Sequence, residues 1–93
     1  MSYKLTYLKS ALKEWGKLSS PIKEQFKKKI IKCLENPRIK STALSGIKDC
    51  YKIKLRATGY RLVYRVFDDR LVIQVIVVGK RDKGEVYKKM RDR

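Results

Sequence analysis

Tyr51-Lys52-Ile53-Lys54-Leu55-Arg56 is the stretch whose reading decides how this chain folds. As a β-strand it sets Tyr51, Ile53 and Leu55 on one face and Lys52, Lys54 and Arg56 on the other, because successive side chains alternate across the pleat. One side is a core face. The other is a row of cations on a rigid element, an arrangement suited to a polyanion. After Ala57-Thr58-Gly59, Tyr60 to Phe67 reads as the hairpin partner. A register with Arg56 opposite Arg61 sets Leu55 against Leu62, Ile53 against Tyr64 and Tyr51 against Val66. A one-residue slip would drive the lysines into the core, so the pattern selects against it. The polar face then holds Lys52, Lys54, Arg56, Arg61 and Arg65, with Val63 among them. A solvated lysine-rich face is the plain reading. Like charges opposite one another destabilise a sheet, however, and call for a reason.

Outward from the hairpin, Tyr3 to Tyr7 predicts a first strand with Tyr3, Leu5 and Tyr7 on one face. Leu8, Ala11, Leu12, Trp15 and Leu18 follow helical spacing and make one apolar stripe, with Gly16 a weak point in the helix interior. Ser20 suits an N-cap and Pro21 the first position of a second helix. Ile22, Phe26, Ile30, Cys33 and Leu34 form its stripe, Lys23, Lys27, Lys28 and Lys32 cover its outer faces, and Asn36-Pro37 stops it. Arg38 to Lys48 is a loop containing Ser45-Gly46. A turn at Asp68-Asp69 leads into Leu71 to Val78, an aliphatic run that reads as a central strand buried on both faces and ended by Gly79. Lys80 to Gly84 is a basic loop, and Glu85 to Arg93 a marginal C-terminal helix. The order β-α-α-β-β-β, then a short helix, predicts one α+β domain over residues 1–93. Its helix hairpin packs on one face of a mainly antiparallel four-stranded sheet.

The chain carries 25 Lys plus Arg against 9 Asp plus Glu, a formal charge of +16 in 93 residues. Such an excess costs stability by self-repulsion and points to a polyanionic partner or an acidic protein partner, with nucleic acid the default. No stretch approaches the ~20 apolar residues of a membrane span. The strand-like N-terminus does not read as a signal peptide, so a cytoplasmic protein with no membrane partner is expected. Cys33 and Cys50 fall beside apolar positions and read as core thiols. With no CxxC and no histidine, the commonest metal-ligand sets cannot be assembled, and no metal or other cofactor is expected.

Cleavage of RNA by its own 2′-hydroxyl needs a base, cations to hold the crowded phosphorane, and an acid for the leaving 5′-oxygen. Histidine is absent, so Lys, Arg, Tyr and a few carboxylates remain. Lys54, crowded by Lys52, Arg56, Arg61 and Arg65, is the sensible base, since neighbouring cations favour loss of a lysine proton. Arginine serves better as a charge clamp than as an acid. Tyr87 suits stacking on a base or positioning a proton. From the residues alone the reading is a basic RNA-binding α+β domain, with nuclease activity a weaker possibility.

Several segments together resemble the RelE family of toxins. They are Ala11-Leu12-Lys13-Glu14-Trp15, Lys27-Lys28-Lys29, Asn36-Pro37-Arg38-Ile39, Asp49 to Arg56, Gly59 to Tyr64, Val78-Gly79-Lys80-Arg81 and Glu85-Val86-Tyr87. The likeness covers nearly the whole chain in the family's order and spacing. It implies a toxin of a type II toxin–antitoxin system that cleaves mRNA in the ribosomal A site by metal-independent 2′-hydroxyl attack. The product end is a 2′,3′-cyclic phosphate. It implies Lys54 as base with Lys52 in support, Arg61 and Arg81 gripping the scissile phosphate, and Tyr87 stacking on the nucleotide. Arg56, Arg65, Lys80 and Lys83 join the RNA-binding surface. The implied partners are a RelB-like antitoxin and the 70S ribosome with its mRNA and ribosomal RNA.

Two departures stand out. Close members often carry an arginine before the glycine of the loop ahead of the charged strand. Here Ser45 precedes Gly46, which puts one phosphate contact in doubt. Asp82-Lys83-Gly84 also replaces a more arginine- and serine-rich loop. The alternatives are a ParE-like gyrase inhibitor and a non-catalytic RNA- or ribosome-binding protein.

Overall fold

The computed structural model describes residues 3–80. Its elements are β1 (Lys4–Tyr7), α1 (Lys9–Gly16), α2 (Ser20–Glu35), a 3-10 turn (Lys40–Thr42), β2 (Cys50–Leu55), β3 (Tyr60–Phe67) and β4 (Val72–Lys80). The sheet order is β1-β4-β3-β2. β1 runs parallel to β4, and the other pairs are antiparallel. The expected α+β arrangement therefore holds over these residues, with β4 central and β2 an edge. The expected C-terminal helix lies outside the described residues.

The helices cover one face, as the stripes require. Ala11, Leu18, Ile22, Phe26, Ile30 and Cys33 pack on Tyr51, Ile53, Leu55, Leu62, Tyr64, Ile73, Val75 and Val78. Trp15 bridges the layers, with its ring 5.7 Å from Tyr7 and 6.0 Å from Phe26, a spacing typical of packed aromatic pairs. Both cysteines are buried and unbridged. Leu12, expected in the stripe, is instead exposed, because Ala11, about 100° round the helix from it, is the buried residue of α1. Gly16 closes α1 instead of weakening its middle. The α2 N-cap is Ser19, one residue before the expected one, and its side chain makes no capping bond.

The β2–β3 register departs from expectation by two residues. Leu55 pairs with Tyr60, Lys54 with Arg61, Ile53 with Leu62 and Tyr51 with Tyr64. A two-residue shift keeps each side chain on its expected face but changes its neighbours. The cause is Gly59, which has φ +75 and donates its N–H to the Leu55 carbonyl at 2.8 Å. A left-handed residue closes the turn just before the strand resumes, and glycine fills that position without a side-chain penalty. The expected register would have put Tyr60 there. The β4 boundaries also differ. Leu71 adopts φ +53 and belongs to the turn, and the strand continues through Gly79 to Lys80.

β4 carries a bulge. Val63 pairs with Val77 and Tyr64 with Val75, which leaves Ile76 as an extra residue. The bulge lets one aliphatic run serve both faces. Ile73, Val75 and Val78 face the helices, while Ile76 and Val77 join Cys50 and Val63 in a second cluster on the other face. Leu8, Leu44 and Ile47 cap that cluster. The face opposite the helices is thus partly plugged, not an open cationic plate.

Arg38 ties four segments together. Its guanidinium donates to Asp68 Oδ2 at 2.5 Å, Asp49 Oδ1 at 2.9 Å and the Tyr51 hydroxyl at 3.2 Å. The Tyr3 hydroxyl donates to Asp68 Oδ1 at 2.6 Å. Tyr64 donates its hydroxyl proton to the Pro37 carbonyl at 2.8 Å. The exit of α2 is thereby fixed to β2, β3, the β3–β4 turn and the chain's start.

The Arg38 hydrogen bond, joined by that from Tyr3, holds the Asp68 carboxyl below its usual range. A carboxylate depressed in the native state contributes stability above its unfolded value of ~4 and loses it as pH falls through the native one. Asp68→Asn should therefore lower the melting temperature at pH 6 and flatten its decline between pH 4 and 2. The difference should shrink in high salt, because the pair is exposed. Equal acid limbs for variant and parent would refute this. Gly59→Ala should cost about 1–2 kcal/mol in urea denaturation from the left-handed backbone alone, since nothing lies within 4 Å of an added Cβ.

Candidate active site

The cationic face is organised as rows across the sheet. Lys54, Arg61 and Gly79 make the first row, Lys52, Val63 and Val77 the second, and Cys50 and Arg65, with Gln74 beyond, the third. The backbone ladder sets the closeness within a row. Val66 N–H donates to the Asp49 carbonyl at 2.9 Å, whereas the Cys50 carbonyl turns outward and accepts from Leu44 N–H at 2.9 Å. Odd-numbered β2 residues therefore exchange bonds with β3. Lys54 and Arg61 form a non-hydrogen-bonded pair, the kind whose Cα atoms approach to about 4.5 Å with side chains close together.

Burial separates the two cations of this row. Arg61 is 9% exposed, while Lys54 is exposed. On its other flank Arg61 meets Gly79, which adds no side chain to the row. A fixed, largely desolvated guanidinium beside a reachable amine can grip a phosphate oxygen with one group and exchange a proton with the other. Lys52, half-buried, lies one row along on the same face.

The other expected residues are spread more widely. Arg65 is exposed and stands four residues from Arg61 along β3, about 13 Å at strand rise, so it belongs to the rim. Arg56 is exposed in the β2–β3 turn. Lys80 pairs with Tyr60, not Arg61, and its Nζ lies 5.5 Å from the Tyr60 ring centre. The register thus puts Lys80 on the helix side at the end of β4. Arg81, Lys83 and Tyr87 lie outside the described residues.

Sequence reasoning missed three features. The Leu44 and Ile47 anchors hold the Ser45-Gly46 turn against the plugged part of this face. Gly46 takes φ +78 there, which a tight turn between two anchors needs. Glu14 Oε1 accepts the Val78 N–H at 3.2 Å. It meets β4 beyond the four residues, Val72 to Val75, that pair with β1. Arg38 gave no periodic signal, because its partners lie 11, 13 and 30 residues away.

Three kinds of known protein are similar to this chain. Residues 5–84 match the family model described as the ParE toxin of the type II toxin–antitoxin system parDE. The mRNA interferase toxin RelE of Escherichia coli K12 is 56% identical over 87 residues, spanning 94% of this chain and 92% of that protein. Among solved structures, a free E. coli RelE toxin carrying two arginine-to-alanine substitutions superposes with a TM-score of 0.92 at 53% identity. It covers 100% of this chain and 98% of that one. RelE in the intact E. coli RelBE toxin–antitoxin complex superposes with a TM-score of 0.85 at 54% identity, covering 87% of this chain and 99% of that one. The chain therefore belongs to the ParE toxin family of type II toxin–antitoxin systems and, within it, to the RelE toxins.

Proposed function

We propose that this protein is the toxin of a type II toxin–antitoxin system and an endoribonuclease that cleaves mRNA in the ribosomal A site, halting translation. The observation that carries the reading is the pairing of exposed Lys54 with buried Arg61 in one row that ends at Gly79. The identity to an mRNA interferase supports it. The partners are a RelB-like antitoxin, supported by the RelBE complex, and the 70S ribosome. No helix among the described residues is long and apolar enough to cross a membrane, and a ribosomal target puts the protein in the cytoplasm. One toxin domain spans residues 1–93.

Lys54 takes the 2′-hydroxyl proton, and Lys52 supports it by adding positive potential. The 2′-oxygen attacks phosphorus, and Arg61 and Arg81 hold the equatorial oxygens as charge builds in the phosphorane. The P–O5′ bond breaks and a proton passes to the leaving 5′-oxygen. The products are a 2′,3′-cyclic phosphate and a 5′-hydroxyl. Tyr87 stacks on the nucleotide and holds its 2′-oxygen in line. Arg56, Arg65, Lys80 and Lys83 supply sequence-independent attraction to RNA, which makes binding salt dependent.

Primer extension on programmed ribosomes tests the assignment. Lys54→Ala should lower cleavage by several orders of magnitude with ribosome binding retained, and Arg81→Ala should also cripple it. Lys28→Ala, on the outer face of α2, should weaken binding at high salt and leave the step itself intact. Near-normal cutting by Lys54→Ala would exclude it as the base. Wild-type binding with no cut would instead favour a purely RNA-binding protein, and no ribosome binding a gyrase inhibitor. Ser45→Arg should add a phosphate contact on the anchored turn and lower KM several-fold with kcat unchanged. An unchanged KM would place Ser45 away from the message.

A further inference from the structure

Between α2 and the outer edge of β2 lies a groove of about 510 Å³. Five of its lining side chains are cations: Lys29 and Lys32 from α2, and Lys52, Lys54 and Arg56 from β2 and its turn. Ser41 and Thr42 bring hydroxyls from the 3-10 turn, and none of the lining residues among those described is acidic. The groove also has an apolar element, since Ile39 and Ile53 line it. Cations gathered from separate elements raise the local positive potential, which attracts an anion along the groove.

Two facts narrow the occupant. Lys52 and Lys54 line the groove and also belong to the cationic rows, so the two sites share a wall. A chain lying over Arg61 can pass across the edge of β2 into the groove without crossing a carboxylate among the lining residues. Cationic walls with apolar side chains between them suit a single strand, which turns phosphates to lysines and bases to apolar surface. A duplex keeps its bases stacked inside and offers a side wall mainly phosphates and hydroxyls.

We propose that this groove holds the phosphodiester backbone of single-stranded RNA flanking the scissile bond, so that the message runs off the catalytic row along α2. The proposal rests on the cleavage reading above and names where the substrate strand continues. Lys29 and Lys32 are binding residues of this path and take no part in proton transfer.

The test uses the full-length protein and a labelled, 2′-O-methylated 12-nucleotide single strand, which cannot be cleaved. Anisotropy titrations across a salt series give affinity and its salt slope. The double variant Lys29→Gln and Lys32→Gln should bind about tenfold more weakly at low salt. Its slope should fall by about 1.4, the loss of two single-strand phosphate contacts. The double variant Lys13→Gln and Lys17→Gln on the α1 side removes the same charge and should change the slope by less than half as much. Equal losses in the two variants would overturn the groove and leave only a diffuse field. In a second arm, the groove variant should bind mRNA-programmed ribosomes more weakly and vacant ribosomes as tightly as wild type. An equal deficit on both would overturn the message as occupant and assign the groove to ribosomal RNA. Neither arm needs cleavage, so failure of the groove is distinguishable from failure of the nuclease reading.

Discussion

The structure depends on the two-residue period of the β2–β3 ladder. It forces Tyr51, Ile53 and Leu55 toward the helices and Lys52 and Lys54 away from them with the same backbone. Setting Lys54 directly across from Arg61 is unfavourable by itself. Burying the other face of the same strands offsets that cost, at about 1.5–3 kcal/mol for each large apolar side chain taken from water. The like-charged row therefore persists because no rearrangement can relieve it without exposing the core. A slip by one residue inverts both faces, and a slip by two must leave the Gly59 turn.

The remaining elements hold that row in place. The β4 bulge supplies aliphatic side chains to both faces and brings Gly79 opposite Arg61. Leu44 and Ile47 cover the apolar cluster in the middle of the cationic face, which separates the Lys54–Arg61 row from exposed Arg65 at the rim. Arg38 fixes the exit of α2, so the long connection to β2 returns along the edge strand and forms a wall of the basic groove. Stability and function are thus coupled through geometry. The helices pack the core while their outer lysines extend the electropositive surface, which accounts for a charge of +16 in so small a chain.

Much of this was legible in the residues. Alternation in Tyr51 to Arg56 assigned the faces, and the stripe of Ile22, Phe26, Ile30 and Cys33 located the buried side of α2. The unbroken run of Val75 to Val78 marked a central strand. What escaped was either non-local or a matter of one residue in a turn. The hairpin pairing shifted because Gly59, not Tyr60, takes the left-handed position. Lys80, read as the start of a loop, instead ends β4 on the helix side, because the strand gains a residue at Ile76 and local alternation cannot register a bulge. Leu12 matched the helical period yet stayed outside, because a stripe reports a pattern and not what covers it.

The sequence by itself determined the strands and helices, the separation of apolar from cationic faces, the net charge and the family motifs. The first three follow from short-range periodicity and composition, and the motifs from resemblance to a known family. Only the tertiary structure decided that Lys54 meets Arg61, that Arg61 is buried while Lys54 is not, and that Lys29 and Lys32 share a groove with β2. Those relations join residues from separate elements. They are fixed by turn geometry, a bulge and the packing of one layer on another, none of which the local period of side chains encodes.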